Sequence, residues 1–321
     1  MLFEKQVVEM FKQKMHHRCD DLGKAHYFSA EDFDGLHRRP YVFTAAAGHR
    51  LQGYLYQYDS PMPGRLIVFE HGFGGGHRSY MKEIELLCRR GYLVLAYDHT
   101  GCMESGGESP NGLAQSLCDL NDCINAVKAD PEFAGYTLSV VGHSWGAFST
   151  LNICALHPDI THIVAISGFV SVELLVQTFF SGPLRGYRKA VLTLEEQSNP
   201  KFAKYNAVES LSNAGTKALL IYSENDQLVR KTPHFDTLLA GLSGKKNIRF
   251  LLVDRKGHNP NYTEDAVKYL GEYTTKLAKL DKKKLLETKA QRQAFVSSFD
   301  WNRMTAQDEA VWAEIFRTLE S

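Results

Sequence analysis

The chain alternates short apolar runs with longer amphipathic stretches. LIVFE (66–70), YLVLAY (92–97), TLSVVG (137–142), HIVAIS (162–167), KALLIY (217–222) and IRFLLV (248–253) are apolar runs of strand length. Runs of this kind predict strands buried on both faces. Between them, 79–90, 113–129 and 147–156 read as helices; in the second, Leu117, Leu120, Ile124 and Val127 share one face. Strand and helix in alternation predict right-handed crossovers and an α/β fold, with a mostly parallel central sheet flanked by helices. Upstream, YVFTAA (41–46) and LQGYLYQY (51–58) flank Ala47-Gly48-His49-Arg50 and predict a hairpin.

Residues 169–212 break the rhythm. Phe169, Leu174, Leu175, Phe179, Phe180, Leu184 and Tyr187 come first, then a charged stretch. Ligands of such sheets bind beyond the carboxyl ends of the strands, and an insertion here would cover that edge. The segment is therefore expected to form a small helical cap; ordinary crossover packing is the alternative. The nearly apolar run 163–180 has membrane-span length, but Gly168, Glu173 and a strand-like start point to a strand entering the cap. The expected organisation is an N-terminal helical arm (1–39), a core (40–168 and 213–280), the cap insertion (169–212) and a C-terminal helical extension (281–321). The last core helix is expected at 262–280. A further helix at 306–319 carries Val311, Ile315 and Leu319 on one side.

Composition narrows the classes. Among the 321 residues, 37 basic and 37 acidic side chains cancel. That balance weighs against a nucleic-acid-binding domain and fits a small uncharged or weakly charged substrate better than a polyanion. The six cysteines form no close C-x-x-C pair, which points to free thiols rather than a disulfide framework or a thiolate zinc site. The N-terminus is interrupted by charges and lacks the apolar core of a signal peptide. These features predict a cytoplasmic protein without an integral membrane segment, and leave the oligomeric state open.

The chemistry is concentrated at strand ends. Gly142-His143-Ser144-Trp145-Gly146 follows a strand and precedes a helix, the setting in which G-x-S-x-G forms a nucleophile elbow. Ser144 is the candidate nucleophile. It needs a base, and His258 follows the last strand in Arg255-Lys256-Gly257-His258-Asn259. The base needs an orienting carboxylate; Asp226, after KALLIY, is favoured over its neighbour Glu224 because it sits farther into the loop. Backbone N–H groups of Trp145 and Phe73 are the candidate oxyanion donors, Phe73 lying in Glu70-His71-Gly72-Phe73-Gly74-Gly75-Gly76-His77, with Gly74 its competitor. That glycine run lacks the G-K-[ST] of a phosphate loop. His71 is expected to support the oxyanion loop. His77, Phe169, Phe179 and Phe180 are candidate pocket residues. No H-E-x-x-H pattern occurs, and neither a metal nor a cofactor is expected.

Taken together, His71-Gly72-Phe73-Gly74, Asp98-His99-Thr100-Gly101 through Gly106-Gly107, the elbow, Asp226 and Gly257-His258 resemble the α/β-hydrolase superfamily. Within it they are most similar to the serine aminopeptidase S33-like and monoacylglycerol-lipase-like group. The resemblance spans about 40–280 and implies the α/β-hydrolase fold, with Ser144, Asp226 and His258 in that fold's chain order. One departure is clear: Thr100 stands where the group carries an arginine after the fourth strand. The expected activity is hydrolysis of small to medium hydrophobic carboxylic esters through an acyl-enzyme. A peptidase or amidase using the same triad is the alternative; an aminopeptidase would need an acid for the substrate amine, and Glu173, Glu195 or Glu196 are the candidates. A non-catalytic binding protein on a hydrolase fold is the remaining reading.

Overall fold

The computed structural model describes residues 3–321. The strands are β1 (His37–Thr44), β2 (Arg50–Gln57), β3 (Arg65–Glu70), β4 (Leu93–Tyr97), β5 (Thr137–His143), β6 (His162–Ile166), β7 (Lys217–Ser223) and β8 (Ile248–Val253). They form one eight-stranded sheet in the order β1-β2-β4-β3-β5-β6-β7-β8. β2 pairs antiparallel with β1, as the hairpin reading expected, and antiparallel with β4; every pair from β4 to β8 is parallel.

The helices are α1 (Glu4–Met15), α2 (Met81–Arg89), α3 (Gln115–Ala129), α4 (Trp145–Asn152), α5 (Val172–Phe179), α6 (Arg188–Ser198), α7 (Ala207–Ser212), α8 (Asp236–Leu242), α9 (Glu264–Lys282), α10 (Lys289–Val296), α11 (Trp301–Met304) and α12 (Glu309–Leu319). They cover both faces of the sheet. Side chains alternate along a strand, so each central strand feeds two cores. Leu66 and Val68 of β3 belong to one core cluster with residues of α3 and α4, whereas Ile67 and Phe69 belong to a second with residues of α2 and α12. This is why the strands read as unbroken apolar runs.

The apolar run 163–180 divides into β6 and α5, whose first turn is capped by Ser171 Oγ accepting the Leu174 N–H. Among the described residues no helix is long and apolar enough to cross a membrane. A short 3₁₀ turn (Gly182–Tyr187) joins α5 to α6, while α7 buries Ala207 and Leu211 in the main core.

The C-terminal region differs from the sequence reading. α9, expected as the last core helix, turns Tyr273 toward Leu286, Phe295 and Met304 in a separate small cluster. The helix that packs on β6 and β7 is α12, through Val311, Trp312, Ile315 and Leu319. The segment entering α12 also grips the loop after β8. Tyr262 and Gln307 form a β-bridge, Thr263 N–H donates to Ala306 O (2.9 Å), and Asp308 N–H donates to Asn261 O (2.8 Å). Lys256 Nζ, with a side chain only 8% exposed, donates to Tyr262 O and to Asp308 Oδ2, both at 2.6 Å.

Asp308 thus does two jobs. Its other oxygen caps α12 by accepting from the Ala310 (3.0 Å) and Val311 (3.2 Å) N–H groups. Asp308→Ala removes the cap and leaves the Lys256 ammonium unpaired in a largely buried position. We expect a loss of about 3 kcal/mol of stability, measured by urea denaturation. A loss below about 0.5 kcal/mol is the outcome for a solvated surface pair and contradicts this account.

Candidate active site

β5 ends at an abrupt turn into α4. Ser144 sits at the apex with φ 56° and ψ −112°, a left-handed conformation costly for any residue with a Cβ. Two close approaches hold it there. A Cβ on Gly146 would lie 2.3 Å from the Glu70 carbonyl oxygen, and one on Gly142 would lie 2.3 Å from Thr150 Oγ1. The glycines let β5, α4 and the end of β3 meet, and the hydroxyl projects above the sheet edge.

The loops after β7 and β8 bring the other two predicted groups to it. His258 Nε2 is 2.8 Å from Ser144 Oγ, and His258 Nδ1 is 2.7 Å from Asp226 Oδ2. Asp226 is buried, and its Oδ1 accepts from the Leu228 (2.8 Å) and Val229 (3.0 Å) N–H groups. The carboxylate has no proton to give, so Nδ1 carries the proton and Nε2 is free to accept from the serine. Glu224, the local rival, is exposed. Asn225 Oδ1 accepts the Gly257 N–H (2.8 Å), tying the acid loop to the histidine loop.

Tyr80, which the sequence reading did not single out, ties the loop at Gly72 to His143 and, through His143, to the loop of His258. His143 donates from Nε2 to the His258 carbonyl (2.8 Å), because a carbonyl only accepts. His143 Nδ1 is then the acceptor for Tyr80 OH (2.8 Å), and the same Tyr80 oxygen accepts the Gly72 N–H (3.0 Å). Burial, and then the neighbouring His258, push the His143 pKa down to about 3, so this tautomer is neutral. His71 works similarly. Its Nε2 accepts the His99 N–H (2.9 Å), leaving Nδ1–H for the Gly72 carbonyl (2.8 Å), and burial takes its pKa to about 3. The expectation that His71 supports this loop agrees with these contacts.

Around Ser144 lies a cavity of about 290 Å³. Phe73 and Trp145 line it, their rings meeting edge-on at 5.1 Å. Phe169 and Phe179 line it too, Phe169 being backed by a parallel stack on Phe148 at 4.5 Å. Two expected pocket residues lie elsewhere. His77 is buried beneath the loop, bonded through Nδ1 to Asp98 Oδ1 (2.8 Å) and through Nε2 to Tyr56 OH (2.9 Å). Burial opposes ionisation of Asp98, but the adjacent His77 outweighs it and holds the carboxyl at about 2. Phe180 turns away from the cavity to pack on Phe11 of α1, with ring centroids 6.0 Å apart. Met15, Tyr80, Leu113, Leu175, Leu228 and Val229 also line it, in places the sequence reading did not identify.

The loop after β4, where Thr100 replaces the arginine, is held by other means. Thr100 N–H and Oγ1 both donate to Asp119 at 2.7 Å. Arg18, from the segment after α1, donates to the carbonyls of Met103 (2.6 Å), Ser105 (3.0 Å) and Gly107 (2.7 Å).

Comparison with known proteins places this arrangement. A family model described as serine aminopeptidase, S33, matches residues 61–250. The uncharacterized protein YqkD of Bacillus subtilis is 27% identical over 128 residues, 40% of this chain and 41% of that protein. Epoxide hydrolase B of Mycobacterium tuberculosis is 32% identical over 104 residues, 32% of this chain and 28% of that protein. The aligned region therefore spans less than half the length of these curated relatives. Among solved structures, an esterase of Pyrococcus furiosus superposes with a TM-score of 0.59 at 18% identity, covering 80% of this chain and 96% of that one. An acetyl xylan esterase from a Paenibacillus species gives 0.56 at 18% identity, covering 86% and 92%. Likeness at such low identity speaks to the fold, and the fold is that of the α/β-hydrolases. With the family match covering more than half of its length, the chain belongs to the serine aminopeptidase S33 family of hydrolases.

Proposed function

We propose that the protein is a serine-dependent carboxylic ester hydrolase acting on small to medium hydrophobic acyl esters. The observation that carries this reading is the cavity. Apart from Tyr80, His143 and the Ser144–His258 pair, the side chains that line it are apolar, with no Asp, Glu, Lys or Arg among the described lining residues. Such a surface suits a hydrocarbon acyl group.

In this mechanism Ser144 Oγ attacks the acyl carbon while its proton passes to His258 Nε2. Asp226, fixed by two backbone N–H groups, stabilises the imidazolium. The Phe73 and Trp145 N–H groups receive the negative oxygen of the tetrahedral intermediate. His258 returns the proton to the departing alcohol, leaving an acyl-Ser144 ester. A water molecule, deprotonated by the same imidazole, then releases the acid.

The aminopeptidase alternative is less well supported. Glu173, Glu195 and Glu196 line a different cavity of the cap. Glu195 is buried, with Oε2 accepting the Leu113 N–H at 2.7 Å. Glu173 accepts from Gln177, and Glu196 pairs with Lys204 at 3.6 Å. None stands beside Ser144 to bind a substrate amine. An ester panel set against aminoacyl amides separates the readings; amide turnover exceeding ester turnover would overturn ours.

Ser144→Ala should lower kcat on an activated ester by about four to six orders of magnitude and abolish labelling by a fluorophosphonate. Retained turnover excludes Ser144 as nucleophile. Tyr80→Phe removes one hydroxyl and leaves Gly72 N–H and His143 Nδ1 without their partner. It should cost about 1–3 kcal/mol in stability. It should also lower kcat roughly tenfold, with KM little changed, because the misplaced groups act on the transition state. Steady-state kinetics on the folded variant check this; an unchanged kcat means that Tyr80 is purely structural.

A further inference from the structure

One wall of the catalytic cavity comes from outside the hydrolase core. Met15, the last residue of α1, lines the cavity beside Leu175 and Phe179 of the cap. It lies outside the residues matched by the family, 61–250. Methionine is unbranched and polarizable, so it fills whatever gap its backbone position allows. What it does to a substrate depends on whether that backbone is held.

The chain is anchored on both sides of Met15. Before it, Phe11 is buried against Phe180. Immediately after it, His16 Nε2 lies 3.5 Å from Oε1 of the fully buried Glu195, whose other oxygen holds the loop at Leu113. Two residues further on, the Arg18 guanidinium binds the three carbonyls of the loop after β4. Cys19 then pairs with that loop as a short parallel β-bridge, donating to Gly101 O and accepting from Met103 N–H, both at 2.9 Å. Cap, sheet-edge loop and arm are thereby locked to one another, and Met15 has little freedom to step aside.

We propose that this arm is a fixed wall of the acyl pocket and that Met15 sets the length of acyl chain the site accepts. The inference rests on the serine-hydrolase reading, which supplies the acyl group. Replacing methionine with alanine removes the end of the side chain and opens room for about two methylenes, each worth roughly fourfold in binding when buried. Replacing it with tryptophan fills that room.

The test compares the unmodified protein with Met15→Ala, Met15→Trp and Arg18→Ala. Each is first checked for folding by circular dichroism. Two profiles are measured: kcat/KM for p-nitrophenyl esters from acetate to dodecanoate, and rates of Ser144 labelling by alkyl fluorophosphonates from butyl to dodecyl. Each profile is normalised to the variant's own shortest reagent. The expected result is an optimum shifted to longer chains by about two methylenes in Met15→Ala, with a roughly tenfold gain for the longest reagents relative to the shortest. Met15→Trp shifts it the other way, and Arg18→Ala, which loosens the arm without touching the cavity, flattens it. Profiles that agree within about twofold across all four proteins overturn the inference. Shifted labelling without ester turnover removes the ester assignment and leaves the wall standing. No labelling of the unmodified protein removes both.

Discussion

The structure turns on a contact between two backbones. Gly146 of α4 lies so close to the Glu70 carbonyl at the end of β3 that no side chain fits between them. That approach forces the sharp exit from β5 and holds Ser144 in its left-handed conformation. It also sets what surrounds the serine. The residues that follow Glu70 are the loop 71–76, so seating α4 on β3 brings that loop beside the apex. On the far side, β6, β7 and β8 continue the parallel order and deliver Asp226 and His258 from their carboxyl ends. Buried side chains lock the contact from beneath: Ser149 Oγ of α4 donates to the Glu70 carboxylate at 3.0 Å.

What was legible in the sequence was what depends on strands. Apolar runs of strand length can only be buried, and alternating them with helices admits few topologies. Once the strands were placed, Ser144, Asp226 and His258 each stood just past a strand end, and loops there converge in any sheet of this kind. The triad geometry therefore followed from local pattern plus topology.

The rest depended on which way a side chain turns and which surface it finds. His77 and Phe180 sit next to active-site segments in sequence, yet one points down to Asp98 and the other outward to Phe11. Neighbouring Phe179 faces the cavity; in a helix end, one residue is the difference between facing in and facing away. Met15 carries no local signal, because its place in the cavity wall arises only when α1 packs against α6. The amphipathic stripes of α9 and α12 look alike as patterns. α9 finds its partners in Leu286, Phe295 and Met304, and only α12 reaches the sheet. An apolar stripe says that a helix must be covered, not by what.

The bridge between Tyr262 and Gln307 has a consequence for how the molecule is made. The histidine loop is held in place by the segment leading into α12, and the cavity by an arm that precedes the first strand. Chain emerging from a ribosome can form β1 to β8 in order, since most of their contacts are with recent neighbours. The proposed catalytic centre is different. It joins Met15 to His258 and to the segment at Asp308, far apart along the sequence, and such distant closures are slow to form. A nascent chain lacking Asp308 already contains Ser144, Asp226 and His258 but not the brace for the last of them. Competence to react is thus expected only once the segment around Asp308 has joined the fold.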